Sequence, residues 1–281
     1  MIRFGRIEYR VLEYRDHTTK IHSVGADCVD CPFTIASKDC SSDNSKKQCR
    51  ICLMDDQDTP EALINPCSCK GTSGYIHISC LQNWLGMKMS KKQGVDITCS
   101  YWKKLNCEVC KTSLPDVINL EGEKKELVPI ERPETPYIIL ERLYYDEVKE
   151  KENGEKMVIQ LCLSNLDSRI KLGRGHECDI RENDISVSRL HAYMKFQNGK
   201  FAIYDNNSKF GTLVLLRKNY ILDKKKVALQ IGKTVLAFSL KTTSAGGKSI
   251  KPLVSVEKST RQQLHVRLSN NRPKMSLNDC K

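Results

Sequence analysis

Short runs in which apolar and polar residues alternate fill the second half of the chain. Eight of these runs predict strands: Tyr137–Tyr145, Lys156–Leu163, Ile170–Leu172, Leu190–Phe196, Phe201–Tyr204, Thr212–Leu216, Lys226–Leu229 and Val235–Leu240. The dipeptides Asn153-Gly154 and Asn198-Gly199 are typical of two-residue hairpin turns. Because no helical period separates the runs, the pattern predicts a β-sandwich.

The first half of the chain has a different pattern, with a helical turn predicted at Leu81–Leu85. The stretch Glu121–Pro136 is charged and contains three prolines, which is typical of a linker. No run approaches the roughly 18 apolar residues that a membrane span needs. Residues Met1–Arg6 alternate charged with apolar side chains and lack the apolar core of a signal peptide. We therefore expect a cytoplasmic or nuclear protein.

The charge is unevenly distributed. The formal net charge is +12, and Thr242–Lys281 holds eight Lys/Arg against two Asp/Glu. This segment mixes Gly, Ser, Asn and Pro without a sustained apolar period, so it is predicted to be a disordered tail. A basic tail is able to contact nucleic acid or acidic surfaces, and the alternative is a solvated end without a partner. Elsewhere in the chain we expect no nucleic-acid partner.

Fourteen cysteines suggest metal binding, because thiols stay reduced in the cytosol and nucleus. Eight candidate ligands form four close pairs: Cys49-x-x-Cys52, Cys67-x-Cys69, His77-x-x-Cys80 and Cys107-x-x-Cys110. Eight ligands suffice for two closed tetrahedral sites of the structural kind. Thiolate and imidazole together favour zinc, which brings no redox chemistry. The prediction is two zinc ions.

A third site is a weaker hypothesis. Cys28-x-x-Cys31 forms one further pair, to which Cys40 and His22 could contribute. The segment around it is dense in Ser, Asp and Lys, and the alternative is that these thiols bind nothing.

The order of four cysteines, one histidine and three cysteines resembles two families, the RING-CH ubiquitin ligases and the PHD fingers that read histone tails. The one-residue spacing of Cys67-x-Cys69 and Trp84 after the histidine pair are typical of RING-CH. A PHD finger would carry an aromatic residue two positions before the seventh ligand, where Leu105 stands. RING-CH is therefore favoured, and no aromatic cage for a histone reader is evident.

The RING-CH resemblance implies two interleaved ligand sets. One zinc would take Cys49, Cys52, His77 and Cys80, and the other Cys67, Cys69, Cys107 and Cys110. The family uses such a module to dock a ubiquitin-charged conjugating enzyme. Here Ile51 and Trp84 would form the apolar docking patch, and Lys111 would bridge the conjugating enzyme and ubiquitin. For Ile51 and Trp84 the alternative role is packing in the small core.

Two departures from RING-CH proteins stand out. Many members of the family are anchored in membranes, whereas no spanning segment is predicted here. The insert between Cys80 and Cys107 is also long and basic, and its Cys99 has no assigned partner.

The second half of the chain contains three motifs: Leu172-Gly173-Arg174-Gly175, Ile185-Ser186-Val187-Ser188-Arg189-Leu190-His191-Ala192 and Asp205-Asn206-Asn207-Ser208-Lys209-Phe210-Gly211-Thr212. Their order and spacing resemble a forkhead-associated (FHA) domain, a β-sandwich that binds phosphothreonine. By family role Arg174 and Ser188 would contact the phosphate, with Arg189 beside them, and Lys209 would add a cation. A guanidinium and a hydroxyl suit a phosphate dianion because they form charge-assisted hydrogen bonds.

Other positions of these motifs have structural expectations. His191 would brace the loop that carries Ser188, while Gly211 and Thr212 would shape the neighbouring loop. Phe210 stands where family members usually carry an asparagine that bonds the bound peptide. The alternative is therefore a sandwich that is only structural.

These patterns divide the chain into five parts. They are an N-terminal segment (1–45), a small α+β RING-CH domain with two cross-braced zinc ions (46–113), a disordered linker (114–136), an all-β FHA sandwich (137–241) and a basic disordered tail (242–281). The segment Ile2–Val11 resembles Leu229–Phe238, which closes the sandwich. The N-terminal segment is therefore interpreted as a remnant of an FHA-like hairpin.

The combination predicts a soluble ubiquitin-protein ligase. Its RING-CH domain would recruit a charged conjugating enzyme, and its FHA domain would recruit phosphothreonine proteins. Ubiquitin would pass directly to the substrate, since no cysteine is placed to carry it. The alternative from another class is a non-catalytic adaptor that binds phosphoproteins and uses the zinc module only for protein contacts.

Overall fold

A computed structural model describes most of the chain between residues 1 and 239 and three short segments beyond it. The described residues are 1–17, 21–23, 34–35, 47–55, 61–120, 122–146, 151–152, 155–163, 169–216, 220–221, 226–231, 234–239, 253–254, 264–268 and 275–276. Among the described residues, no helix has the length and apolar character needed to cross a membrane.

The described regular structure is mostly β. The first part contains β1 (Ile2–Phe4), β2 (Ile7–Arg15), β3 (Ile21–Ser23), β4 (Thr34–Ile35), β5 (Leu63–Ile64), a 3-10 turn (Gly71–Gly74), β6 (Ile76–His77), α1 (Ile78–Gly86), β7 (Ser90–Gln93) and β8 (Ile97–Lys103). There follow β9 (Val117–Leu120), β10 (Glu123–Glu126), β11 (Tyr137–Leu143), β12 (Tyr145–Asp146), β13 (Lys151–Glu152), β14 (Glu155–Cys162), β15 (Ile170–Gly173), β16 (Ile180–Arg181), β17 (Ala192–Gln197), β18 (Lys200–Asp205) and β19 (Thr212–Leu215). The last strands are β20 (Tyr220–Ile221), β21 (Lys226–Ile231), β22 (Thr234–Ser239), β23 (Leu253–Val254), β24 (Leu264–Leu268) and β25 (Met275–Ser276).

Two sheets form the predicted sandwich. The larger sheet runs in the order β22-β21-β24-β19-β1-β2-β11-β14-β8-β7, and the smaller one in the order β16-β15-β17-β18-β25. Apolar side chains from both sheets fill the space between them, among them Phe4, Tyr9, Ile159, Met194 and Phe201. All eight predicted strands are present. The turn at Asn198-Gly199 is confirmed, since both residues have positive φ, whereas Asn153-Gly154 lies outside the described residues.

Strand β11 is buried on both faces and joins the two halves of the molecule. Its run Tyr137–Leu140 is fully buried, as expected for a strand covered on both sides. Because successive side chains point to opposite faces, Ile138 and Leu140 enter the sandwich core. Tyr137 and Ile139 enter a second core, which also contains cysteines of the predicted metal sites. The molecule therefore has three layers here, with the larger sheet in the middle.

The prediction of a separating linker at 114–136 is wrong. Strands β9 and β10 form a hairpin within it, and Ile118, Leu127 and Val128 are buried in the second core. The charged sequence of β10 concealed this strand, because its stability comes from backbone pairing and from its buried neighbours. The basic insert also belongs to the sandwich, since β8 pairs with β14 over seven residues. Its exposed lysines on β7 lie on the last strand of the sheet, where charge opposes edge-to-edge pairing.

The N-terminal hairpin is a structural part of the one sandwich. Strand β1 pairs with β19, and β2 pairs with β11, so the hairpin fills the gap between strands 137–143 and 212–215. The predicted hairpin is therefore present, but it completes the described sandwich. Most of the predicted disordered tail lies outside the described residues, and its described parts are β23, β24 and β25. Cys28, Cys31 and Cys40 also lie outside them.

Candidate metal centres and phosphopeptide surface

The first cysteine pair lies on a tight turn. The Cys49 N–H donates to the Met54 carbonyl at 2.8 Å, and the Leu53 N–H donates to the Cys49 carbonyl at 2.8 Å. Leu53 has a φ of 63°, in the left-handed region. This turn directs the thiols of Cys49 and Cys52 to one point.

The last cysteine pair lies on an equivalent turn. The Cys107 N–H donates to the Thr112 carbonyl at 2.8 Å, and the Lys111 N–H donates to the Cys107 carbonyl at 2.9 Å. Lys111 has a φ of 62° and occupies the place of Leu53 in the first turn. Two copies of one backbone conformation therefore present the outer ligand pairs.

The first predicted ligand set lies together. The ligand atoms of Cys49, Cys52, His77 and Cys80 are all within 4.8 Å of one another. Nδ1 of His77 is 3.3 Å from Cys52 Sγ and 3.9 Å from Cys80 Sγ. Strand pairing of β6 with β5 positions His77, and the first turn of α1 carries Cys80.

The second predicted ligand set also lies together. The sulfur atoms of Cys67, Cys69, Cys107 and Cys110 are within 4.8 Å of one another, and those of Cys69 and Cys107 are 3.7 Å apart. Zn–S bonds of about 2.3 Å in a tetrahedron place two sulfurs roughly 3.8 Å apart. Both sets therefore have the dimensions of a tetrahedral metal site. Their cysteine and histidine pairs alternate along the chain.

The thiols within each set differ in acidity. Burial raises the pKa of Cys49, but hydrogen bonds from backbone N–H groups outweigh burial and lower it to about 6. Hydrogen bonding to Thr112 lowers the pKa of Cys110 to about 6. Burial raises the pKa of Cys67 and of Cys80 to about 12. Burial of Cys107 is likewise outweighed by hydrogen bonds from backbone N–H groups, which lower its pKa. Each set therefore contains at least one thiol that ionises readily, and a bound cation would draw protons from the others.

Arg50 links the two sets, a role that the sequence analysis missed. It lies between the first two ligands, yet its guanidinium reaches the other set. Nη1 is 3.6 Å from Cys69 Sγ, and Nη2 is 3.7 Å from Cys107 Sγ. Nη1 also donates to the Ser73 carbonyl at 2.9 Å, which fixes the side chain. The only sequence signal was a cation inside a ligand pair, and that signal does not identify which sulfurs it contacts.

The predicted docking residues lie on three separate elements. Ile51 is 45% exposed on the first ligand turn, and Lys111 is exposed on the last one. Trp84 on α1 is half-buried and packs against the second core. The Lys88 ammonium lies 4.0 Å from the centroid of its ring. Trp84 therefore has both a packing role and an accessible face.

Three loops of the sandwich meet at the predicted phosphate site. The Arg174 N–H donates to the Ser188 carbonyl at 2.9 Å, and the Lys209 N–H donates to Ser188 Oγ at 3.0 Å. The Arg189 carbonyl accepts the Gly175 N–H at 2.8 Å. Arg174, Arg189 and Lys209 are exposed, and Ser188 is half-buried. The structure therefore brings all four predicted residues to connected loops.

His191 braces these loops from inside. Its fully buried ring accepts the Ser188 N–H at Nδ1 (3.1 Å), and Nε2 lies 3.3 Å from the Gly211 carbonyl. Both contacts are satisfied when the neutral ring carries its proton on Nε2. Burial lowers the pKa of His191 and favours this neutral form. Gly173 is also required, because a Cβ there would lie 2.1 Å from the Arg189 carbonyl oxygen.

Phe210 does not fold inward over the site. Its side chain is 49% exposed, and the Lys209 ammonium lies 5.3 Å from its ring centroid. The replacement of the usual asparagine therefore adds an apolar, cation-flanked surface beside Ser188.

Two regions of the chain match known domain families. Residues 49–110 match the RING-variant domain, and residues 170–236 match the FHA domain. The metal-ligand region is thus a RING-variant (RING-CH) domain, and the sandwich carries an FHA domain.

Curated relatives carry ubiquitin-ligase names. A segment covering 52% of this chain is 28% identical to "E3 ubiquitin-protein ligase MARCHF7" of Pongo abelii and covers 18% of that protein. A segment covering 22% of the chain is 36% identical to "E3 ubiquitin-protein ligase marc-3" of Caenorhabditis elegans and covers 13% of it. A segment covering 16% is 51% identical to "E3 ubiquitin-protein ligase MARCHF3" of Xenopus laevis and covers 17% of it. The chain thus spans less than a fifth of each of these relatives.

Proposed function

We propose that the protein is a RING-type ubiquitin ligase that recruits phosphothreonine proteins. Its RING-CH region would hold two zinc ions and dock a ubiquitin-charged conjugating enzyme. Its FHA region would bind the phosphorylated partner. The RING-variant match and the ligase names of the relatives support the first part, and the FHA match supports the second.

One observation carries the docking proposal: the ligand turns expose apolar side chains. Ile51 is 45% exposed, Leu53 69% and Val109 64%, although nearby side chains are packed in the second core. Apolar side chains clustered at one site on a surface are typical of protein-binding sites. The zinc ions would therefore fix the two turns that present this surface.

The proposed reaction is aminolysis of a thioester. The amine of a substrate lysine attacks the ubiquitin carbonyl, an amide bond forms, and the cysteine thiolate of the conjugating enzyme leaves. The ligase adds no acid, base or nucleophile and contributes orientation alone. Lys111 would contact both the conjugating enzyme and ubiquitin, since its left-handed turn projects it beside the last ligand.

Zinc content tests the metal assignment. Elemental analysis of the purified chain should give two zinc ions per molecule. A content of three would restore the hypothesis of a third site at Cys28 and Cys31, and a content of one would contradict the two-ion proposal.

Ubiquitin transfer tests the docking surface. In an autoubiquitination assay with a panel of conjugating enzymes, Ile51→Ala and Trp84→Ala should each reduce transfer at least about tenfold, as expected for an interface hot spot. Zinc content should stay at two. Val95→Ala is the matched control, because Val95 is fully exposed on a turn far along the insert. Wild-type chain that transfers no ubiquitin with any enzyme, yet binds phosphopeptides, would favour the adaptor alternative.

Peptide binding tests the FHA surface. Arg174→Ala should weaken phosphothreonine peptides about 10- to 150-fold, because a hydrogen bond to a charged group contributes roughly 1.5–3 kcal/mol. Ser188→Ala should weaken them less. Arg181→Ala is the control, since this exposed arginine lies on β16 outside the three loops. Equal affinity of the wild type for phosphorylated and unphosphorylated peptides would leave the sandwich as a structural element.

A further inference from the structure

We propose that Arg3 and Arg6 of the N-terminal hairpin bind a second anionic group of the phosphothreonine peptide. This inference rests on the proposed FHA function and names the class of peptide selected: one with a carboxylate or a second phosphate near the phosphothreonine.

The hairpin turn is built onto the phosphopeptide loops. The Arg6 N–H donates to Ser186 Oγ at 2.8 Å, two residues before Ser188. Gly5 has a φ of 61°, and a Cβ at this position would lie 2.3 Å from Ser186 Oγ. The turn therefore lies directly against the loop that carries the predicted phosphate ligand.

A cleft opens between this turn and the other phosphopeptide loop. It has a volume of about 530 Å³, and Arg3, Arg6, Ile185, Lys209 and Phe210 are among the residues that line it. The cleft adjoins the phosphate site, because Lys209 lines it and the Lys209 N–H donates to Ser188 Oγ at 3.0 Å. A peptide bound at Ser188 would therefore have this cleft beside it.

The charges of the cleft favour an anion. Three cations, Arg3, Arg6 and Lys209, face it, whereas two carboxylates contact them. Glu8 is 3.7 Å from Arg3 Nη1, and Asp184 is 3.3 Å from Arg6 Nη2.

Arg3 provides a second, independent indication. Its Nε atom is buried and has no hydrogen-bond partner among the described residues. Buried donors in folded proteins are nearly always paired. The Arg3 side chain is 24% exposed, and a rotation toward an anionic group in the cleft would give Nε an acceptor. The side chain of Arg6 is 62% exposed and could donate hydrogen bonds to the same anionic group.

The rest of the lining is apolar. Ile185 is 81% exposed and Phe210 is 49% exposed. Exposed apolar side chains next to the cations Arg3, Arg6 and Lys209 suit a peptide segment in which an acidic residue adjoins an apolar one. The replacement at Phe210 thus contributes to selection in this cleft.

The test uses the full chain and phosphothreonine peptides with alanine at all flanking positions. One series places glutamate, and another phosphoserine, at each flanking position in turn, and affinity is measured by fluorescence anisotropy. We expect about tenfold tighter binding at one or more positions, the gain of one charge-assisted hydrogen bond. A larger gain with phosphoserine would identify phosphate as the preferred group, and a larger gain with glutamate would identify a carboxylate.

Variants of the hairpin test whether it causes the gain in affinity from a flanking anion. Arg3→Gln and Arg6→Gln should each reduce this gain. Arg10→Gln should retain it, because Arg10 pairs with Glu141 outside the cleft. Arg3→Lys keeps the charge but removes Nε and should give an intermediate gain. Unchanged melting temperatures would show that the hairpin is intact.

Two results would overturn the proposal while leaving the phosphothreonine function intact. One is an absence of any gain from flanking anions in a chain whose binding still depends on Arg174. The other is a gain that persists in both Arg3→Gln and Arg6→Gln. A chain without phosphothreonine-dependent binding would overturn the FHA function and this subsite together.

Discussion

The RING-CH region and the sandwich hold their functional loops in different ways. In the RING-CH region, two equivalent turns are fixed by ligand atoms that converge within 4.8 Å. In the sandwich, three loops are fixed by ordinary contacts, chiefly the buried ring of His191 between Ser188 and Gly211. The first arrangement combines ligand atoms with the second core, whereas the sandwich loops depend on the core between two sheets alone.

This difference determines what each region can expose. Metal ligation lets the turns place Leu53 and Val109 in solvent, because a short turn held by ligands needs no apolar anchor of its own. The sandwich loops expose the cations Arg174, Arg189 and Lys209 instead. Val187 is buried, and the exposed apolar residues Ile185 and Phe210 lie on the same loops as these cations. The two surfaces therefore suit an apolar protein partner and an anionic peptide.

The largest effect should follow from removing a metal ligand. Cys67→Ser should unfold the RING-CH region, since a structural zinc contributes on the order of 10 kcal/mol of folding free energy. Zinc content and thermal unfolding measure this effect. Cys162→Ser, at a half-buried cysteine outside both ligand sets, is the control and should leave two zinc ions. Full zinc content in Cys67→Ser would contradict the assigned set.

A buried ion pair should show the next largest effect. Arg142 Nε donates to Glu182 at 2.8 Å, and Tyr9 Oη donates to the same carboxylate. Glu182→Ala should lower the free energy of unfolding by about 3–5 kcal/mol, because it leaves Arg142, whose side chain is only 14% exposed, without its partner. Glu131→Ala removes an exposed partner of Lys91 and should cost less than about 1 kcal/mol. If urea unfolding gave the same loss of free energy for both variants, the pair of Arg142 and Glu182 would contribute no more than an exposed pair.

Arg50 tests whether ligand bonds alone fix the RING-CH turns. Arg50→Gln removes the guanidinium beside Cys69 and Cys107 and should weaken zinc binding about 10- to 100-fold, as loss of an outer partner of a metal site does. Competition with a chelator measures the affinity of both ions. The zinc ion held by the second ligand set should lose more affinity than the other ion. Unchanged zinc affinity would mean that the contacts of Arg50 with the two sulfurs do not contribute to metal binding.

The smallest effect should be a pH dependence that belongs to the sandwich. Burial lowers the pKa of His191 below the ordinary value of about 6.5. The folded state therefore binds fewer protons than the unfolded state, and stability rises with pH. The contribution is complete above about pH 6.5 and is lost as pH falls through the pKa of the folded state. Urea unfolding at pH 7.5 and 5.5 should show a smaller difference for His191→Gln than for wild type, whereas His176→Gln should match wild type.

Local patterns in the sequence predicted much of this molecule. Strands such as Ile170–Gly173 and Ala192–Gln197 alternate visibly, since one face is buried. The four ligand pairs were predicted because cysteines and a histidine paired at such short spacings are typical of zinc sites. The division of these pairs into two sets came from the resemblance to RING-CH domains. These signals depend on residues that are close together in the sequence.

Pairings between distant segments escaped prediction. The N-terminal hairpin was predicted, but its place between β19 and β11 depends on a gap that only the assembled sheet contains. Strand β10 has the sequence Glu123–Glu126 and no apolar residue, so its pattern indicated a solvated linker. Arg50 directly follows Cys49 of the first ligand set but contacts Cys69 and Cys107 of the second set. This contact depends on how the folded chain places the two sets next to each other.

The double burial of β11 has a practical consequence for dissecting the protein. A fragment cut at the predicted boundary of 137 would keep Ile139 and Val158 but lose the second core that covers them. It would also lack β1, β2 and β8, which flank β11, β14 and β19 in the sheet. Such a fragment would expose apolar residues and unpaired strand edges, both of which promote aggregation. Recombinant work on either half therefore calls for the whole chain from its first strand, with point substitutions in place of truncations.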